Sequence, residues 1–302
     1  MSTTWVEPAS PAAPPVPLES TALLDYRGRG MRRSAIPGFG LTLGITLFWL
    51  ALIVVIPLCA VLLRSTGGGW EHFVAVGFSP RAMAAYRVTF VSALIATAIN
   101  AVFGLLIAWV LVRIKFPGRR LLSAAIDLPF ALPTAVAGIA LTALYANTGW
   151  IGAYLEPMGI QIAYHPPGIV VALIFIGLPF IVRSIEPVLA DLDRTVEEAA
   201  ATLGANRWQI FAHVIFPAIL PALLTGFALA LARCVGEYGS VIFIAGNMPK
   251  ISEIAPLLII TSLEQYDYPG ASAIAVVMLL ISFSILIVLN MIQGRRRRRM
   301  GE

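Results

Sequence analysis

The chain has 302 residues, of which 59% are hydrophobic and 12% charged, with a formal net charge of +5. Soluble domains carry about 25% charged residues, so the composition excludes an ordinary soluble protein and points to one membrane domain. The two cysteines, Cys59 and Cys234, lie inside apolar runs, which excludes a disulfide framework and a zinc-binding spacing.

Residues 1–37 read as a disordered tail, because Pro8, Pro11, Pro14, Pro15 and Pro17 break any helix and few apolar residues follow until Ile36. The first apolar run, Gly40 to Leu63, has 24 uncharged residues. That is too long for a signal-peptide core, and a span needs roughly 20 residues, so it is a membrane span. Five more follow: Val88 to Val112, Leu121 to Ala146, Gly168 to Ala190, Ala218 to Ala245, and Ala271 to Gln293. The third carries Asp127, Pro129 and Pro133, the fourth Pro179, Arg183 and Glu186, and the fifth Arg233 and Glu237. Ile254 to Ser262 is apolar but too short to span, and suits a short external or re-entrant helix. The expectation is an all-α polytopic protein with six transmembrane helices over residues 38–294 and a basic tail over 295–302.

Basic residues set the orientation. Sixteen of the 21 Lys and Arg fall on one side, including Arg113, Lys115, Arg119, Arg120 and the run Arg295 to Arg299. Arg64, Arg81, Arg87 and Lys250 fall on the other. Both termini are therefore expected in the cytoplasm. Directly after a span, Arg295 to Arg299 reads as an anchor to anionic lipid rather than a nucleic-acid site. His72, His165 and His213 fall in different loops and imply no metal cluster.

Residues 191–217 form a long polar cytoplasmic segment between spans four and five. Thr195-x-x-Glu198 has the form of a capping box that opens a short helix to Leu203, and Gly204 supplies the positive φ that closes it. A second helix from about Asn206 carries Trp208, Phe211, Val214 and Ile215, and Pro217 marks entry to span five. Alanines at 199, 200 and 201 keep one surface shallow enough for another protein to approach. On physical grounds alone, an amphipathic helix lying on the membrane is an equal reading. The chain has two lysines, Lys115 and Lys250, and neither stands in a GxxxxGK[ST] loop, so ATP-driven transport requires an ATPase on another chain. No catalytic constellation lies at membrane depth, so the chain reads as a non-enzyme that binds no cofactor itself.

Ionisable groups within spans face a bundle interior or a water-filled path. Arg233 and Glu237 are four apart, so on a helix they share a face. They either neutralise each other within the bundle or line a gate. Gly236 and Gly239 allow a neighbouring helix to come close. Asp127 either caps the break made by Pro129 and Pro133 or sits near the cytoplasmic interface; broken helices often line transport paths.

Glu198-Ala199-Ala200, Gly204 three residues on, then Val214 and Phe216-Pro217, resemble the EAA coupling loop of ATP-binding-cassette importer permeases. DLPFALPTAVAG at Asp127 to Gly138, RCVGEYG at Arg233 to Gly239, VIFIAGN at Val241 to Asn247 and YDYPGASAIA at Tyr266 to Ala275 resemble the sulfate/thiosulfate permeases of the CysT (CysU) type. The resemblance implies a type I ABC importer permease fold in a bacterial inner membrane. It also implies an ATPase subunit in two copies that binds ATP and Mg, a second permease of CysW type, and a periplasmic sulfate/thiosulfate-binding protein. It assigns coupling to Glu197, Glu198, Ala199, Ala200, Gly204 and Arg207, and a path or gate to Asp127, Pro129, Pro133, Arg233, Glu237 and Tyr238. Tyr238 stands where the family pattern leads one to expect Phe. The alternatives are a molybdate or tungstate permease, and, from another class, an ion-coupled secondary transporter, which has no need of a coupling loop.

Overall fold

The computed structural model describes residues 39–299. The Pro-rich tail, residues 300–302 and the side chains of Arg295 to Arg299 lie outside the described residues. The chain divides into two compact units, Met1–Val55 and Ile56–Glu302, and every site below lies in the second.

The apolar runs form helices α1 (Gly40–Ser65), α3 (Pro80–Arg113), α6 (Pro166–Asp191), α8 (Arg207–Val235) and α10 (Tyr268–Arg299). Each is long and apolar enough to cross a membrane. The third run is a broken crossing: α4 (Arg119–Ala131) and α5 (Thr134–Tyr145) meet at a 115° bend. Counted as one span, this pair makes six among the described residues. Pro133 forces the bend, because its ring disfavours helical geometry at Leu132, which is extended with ψ 137°. The shorter helices include α2 (Gly69–Gly77), α7 (Arg194–Thr202) and α9 (Ala255–Glu264), the last too short to span, as its sequence indicates.

Two π-helical turns interrupt spans, Ala51–Val55 in α1 and Phe211–Ile215 in α8. Each ends two residues before a proline, Pro57 and Pro217. Proline clashes with the carbonyl four residues earlier, and the wider π turn moves that carbonyl aside. So Pro217 does not separate the second coupling helix from span five: both are one element, α8. Span five also ends earlier than its apolar run, at Val235, with Gly236 as the C-cap.

The core is α3, α6 and α8. Ala96, Asn100, Gly104 and Ala108 recur every fourth residue and put a narrow stripe of α3 against α6. A Cβ on Gly104 would lie 2.7 Å from the Ile181 side chain, so that side chain packs directly on the α3 backbone. In the turn before Pro179, the Leu173 and Ile174 carbonyls accept from Cys234 Sγ at 3.4 Å and Asn100 Nδ2 at 3.0 Å. Side chains of neighbouring spans thus add bonds to the α6 backbone within two turns of Pro179. Ser79 caps α3, accepting from the Ala82 N–H, with Pro80 at the first helical position. At 34 residues α3 is roughly 51 Å long, so both its ends project beyond a hydrocarbon core of about 30 Å.

Candidate functional site

The coupling segment folds as two helices joined at a fixed angle. The cap of α7 is Asp193, not Thr195: the Asp193 carboxylate accepts the Thr195 N–H at 2.9 Å. This N–H holds Asp193 below the usual carboxylate range. The Thr195–Glu198 box therefore does not form, because Thr195 already lies inside the helix as a donor. A capping box does occur at the next helix, where Asn206 Oδ1 accepts from Gln209 N at 2.9 Å and Gln209 Oε1 from Asn206 N at 2.8 Å.

Between them, Gly204 has φ +88°. Its N–H donates to Ala201 O at 3.0 Å, and Ala205 N–H reaches Ala200 O at 3.1 Å. This six-to-one and five-to-two pattern is a Schellman stop. Nothing lies within 4 Å of a Cβ placed on Gly204, so the backbone conformation alone demands glycine there.

The two glutamates of α7 differ in burial, about 100° apart on the helix. Glu197 turns inward and pairs with Arg113 at the end of α3, whose side chain is 11% exposed. Glu198 is exposed, as are Val196, Ala199 and Leu203. Trp109 of α3 meets the Phe211 ring edge-on at 5.8 Å, and Phe211 stacks on Trp208 at 5.7 Å. Glu197, Glu198 and Arg207 border one open hollow with Trp109, Arg113 and Arg194. Ala199 is exposed and Ala200 half-buried. The segment is thus pinned from behind and open in front, which suits a helix laid into another protein's groove. Sequence reasoning counted Arg113 only as a basic residue at a span end.

Of the membrane residues, Arg233 and Glu237 do pair, at 2.5 Å, but not on one helix face. Glu237 lies past the last helical residue, on a turn that folds back over the helix end. It is buried, and its second oxygen accepts from Ser240 N and Ser240 Oγ, both at 3.0 Å. This turn rests on the broken span. A Cβ on Gly239 would overlap Thr134, and one on Gly138 would overlap the Ser240 carbonyl. Gly236 plays no such part, with only Ala232 O of its own helix at 3.8 Å. Tyr238 is half-buried on the same turn.

Asp127 neither caps the break nor joins Arg233. Arg183 of α6 grips it with two bonds, Nε to Oδ1 at 2.9 Å and Nη2 to Oδ2 at 2.5 Å. Arg183 also donates to Glu186 Oε2 at 2.5 Å and to Ser123 Oγ at 2.9 Å. Pro129 lies inside α4 and Pro133 at the bend, so both stand between the two ionic clusters. The clusters lie roughly 10 Å apart along the bundle, since Gly226 packs on Ile181 and Ser184 and Arg233 is seven residues further along α8. A lone arginine late in an apolar run was the available signal for Arg183. A third pair, Arg81 with buried Glu253 at 2.6 and 2.8 Å, ties the start of α3 to the loop before α9 and had no sequence signal.

Residues 100–301 match the family model described as binding-protein-dependent transport system inner membrane component. The sulfate transport system permease protein CysT of Escherichia coli K12 is 47% identical over 267 residues, covering 88% of this chain and 96% of that protein. CysT of Synechocystis is 50% identical over 254 residues, 84% of this chain and 89% of that one. Among solved structures, a chain of a bacterial ABC transporter that imports the acidic polysaccharide alginate matches with a TM-score of 0.71 at 16% identity. The match covers 85% of this chain and 94% of that one, and shows a shared type I importer permease fold.

Proposed function

The chain belongs to the binding-protein-dependent transport system inner membrane components, and from that premise we propose that it is a membrane-spanning permease subunit of an ATP-driven sulfate importer. The observation that carries the reading is α7: a short helix held from behind by Arg113–Glu197, stopped by Gly204, and presenting Glu198, Val196 and Leu203 outward. A secondary transporter has no use for such a face. The names of relatives about half identical over most of the chain support sulfate as cargo.

In this reading the chain catalyses nothing. ATP and Mg bind a separate ATPase subunit, present in two copies, whose groove receives α7. A second permease of CysW type completes the path, and a sulfate/thiosulfate-binding protein delivers the anion from the side opposite the coupling loop. Both termini lie on the coupling-loop side, in the cytoplasm. Arg233 offers positive charge on a half-exposed side chain, while Glu237, fixed by Ser240, tempers that charge so that a dianion is drawn but not trapped. Specificity between sulfate and thiosulfate then rests with the binding protein.

The test is reconstitution of the four components in proteoliposomes, with uptake of labelled sulfate measured against thiosulfate and molybdate competitors. ATP-dependent uptake competed by thiosulfate but not by molybdate supports the proposal. Uptake without the ATPase, or cargo restricted to molybdate, overturns it. A Glu198→Cys cross-link to the ATPase subunit checks the docking surface separately.

A further inference from the structure

An open groove runs between α3 and α6 on the side away from the coupling loop. Its floor and walls are apolar, with Val91, Ile95, Ile99, Val170 and Ile174 along it. Two cations, Arg87 and Lys250, sit at its outer end, and no carboxylate lines it. Val91 and Ile95 are 48% and 45% exposed, so the groove is uncovered in this chain.

These cations differ from the arginines described so far. Arg81, Arg113, Arg183 and Arg233 are each bound to a carboxylate, whereas Arg87 and Lys250 make no ion pair among the described residues. Arg87 is the residue immediately before the uncharged run that begins at Val88, which places it at headgroup depth. Lys250 is held over the groove by a loop with little freedom. It has φ +66°, and the Met248 carbonyl accepts from the N–H groups of Ile251, Ser252 and Glu253 at 3.1, 3.0 and 3.0 Å. Glu253 is in turn locked to Arg81. A non-glycine residue kept in the left-handed region by its surroundings marks a position with a task.

The dimensions choose the occupant. From Arg87 to Ile99 the groove runs roughly 18 Å along the helix, close to one leaflet of a hydrocarbon core about 30 Å thick. A partner's transmembrane helix needs the full thickness. It also favours small residues at its contact, as α3 uses against α6, whereas this groove is walled mainly by branched aliphatic side chains. A free oxyanion gains from the two cations but has no partner deeper in the apolar groove. An amphiphile satisfies both parts.

We propose that this groove is a binding site for one anionic phospholipid of the leaflet opposite the coupling loop, its phosphate on Arg87 and Lys250 and an acyl chain along Val91, Ile95 and Val170. The proposal does not depend on which anion the protein transports.

The test uses the assembled transporter in nanodiscs made of phosphatidylglycerol with phosphatidylcholine, followed by native mass spectrometry of retained lipid. The wild type should retain phosphatidylglycerol in preference to phosphatidylcholine. Each of Arg87→Gln and Lys250→Gln should reduce that preference about fivefold, and the double variant about thirtyfold, if each cation contributes as a basic residue does at an anionic surface. Ile95→Trp, which fills the groove and leaves both cations, should also abolish retention; if it does not, the site is a surface charge effect and the proposal fails. Equal retention of both lipids by the wild type overturns it. So does displacement of phosphatidylglycerol by millimolar inorganic phosphate, which would identify a free-anion site. An Ile95→Cys cross-link to the second permease in high yield would show a protein partner in the groove, and would likewise overturn it.

Discussion

Substituting Gly204 separates backbone geometry from side-chain contact in the coupling loop. Its φ is +88°, and no atom stands within 4 Å of an added Cβ, so a substitution costs conformation and no clash. An L-residue held in the left-handed region costs roughly 1–2 kcal/mol, asparagine less, and a β-branched residue toward about 3 kcal/mol. The loop answers by opening the Schellman turn, which releases the Ala200 and Ala201 carbonyls and swings α7 relative to α8. Gly204→Asn should therefore couple within about twofold of wild type, Gly204→Ala about fivefold worse, and Gly204→Val more than about tenfold worse. The assay is ATPase stimulation by the loaded binding protein together with sulfate uptake, both normalised to assembled complex. Normal stimulation in a fully assembled Gly204→Val transporter would refute the reasoning. So would equal loss in the Ala and Val variants, since sterics without backbone strain would not rank them.

Glu197→Gln should weaken the hold of α3 on α7 by about 1–3 kcal/mol, between the values for exposed and buried pairs, and faster hydrogen exchange across α7 should report it. Arg233→Ala leaves Glu237 buried and unpaired, so assembled complex should fall along with uptake of both sulfate and thiosulfate. Glu237→Gln keeps the Ser240 contacts in part and should alter rate more than assembly; wild-type uptake in both variants would leave the pair a purely structural role. A reporter active only outside the cytoplasm, fused after Gly294, should be silent, and activity there would invert the topology. The folded-state pKa of Asp193 is lowered by the Thr195 N–H, so its cap is fully present above the ordinary carboxylate pKa and is lost as pH falls through the lowered value. Asp193→Asn should keep α7 intact without that acid sensitivity, read by exchange at the Thr195 amide.

The spans were legible because uncharged runs of more than 20 residues have one physical solution in a bilayer. Gly204 and Asn206 were legible for a local reason: a left-handed stop and a side-chain cap act within three residues of themselves. Asp193 and Thr195 competed for the same cap, and the pattern Thr-x-x-Glu favoured the wrong one because it ignores where the chain leaves the preceding helix. Glu237 was misplaced for a related reason. Apolarity continues through Val241 to Ala245, but the helix stops at Val235, and Gly236 and Gly239 were read as packing residues when Gly236 is a stop. The ion pairs Arg113–Glu197 and Asp127–Arg183 join residues 84 and 56 positions apart, and no local pattern carries that information.

These long-range pairs decide which element can link residues 191–217 to the turn that carries Glu237. The loop does not hang from α8 alone: Glu197 ties α7 to α3, and Phe211 ties the start of α8 to the same end of α3 through Trp109. A push on α7 therefore loads α3 and α8 together, and both clamp α6 through close contacts, Gly104 on the Ile181 side chain and Gly226 on the α6 backbone. The broken pair α4–α5 is held differently. It is tied to α6 just before its bend by Arg183 on Asp127, and just after the bend it lies under the Glu237–Ser240 turn at Thr134 and Gly138. Packed contacts at glycine have no slack, so the start of α5 must follow the turn at the end of α8. The 115° bend at Leu132–Pro133 lies between the two grips. A relay needs an element with two arrangements that both sites can bias. In this bundle the element gripped on both sides of a proline pivot is the broken third span.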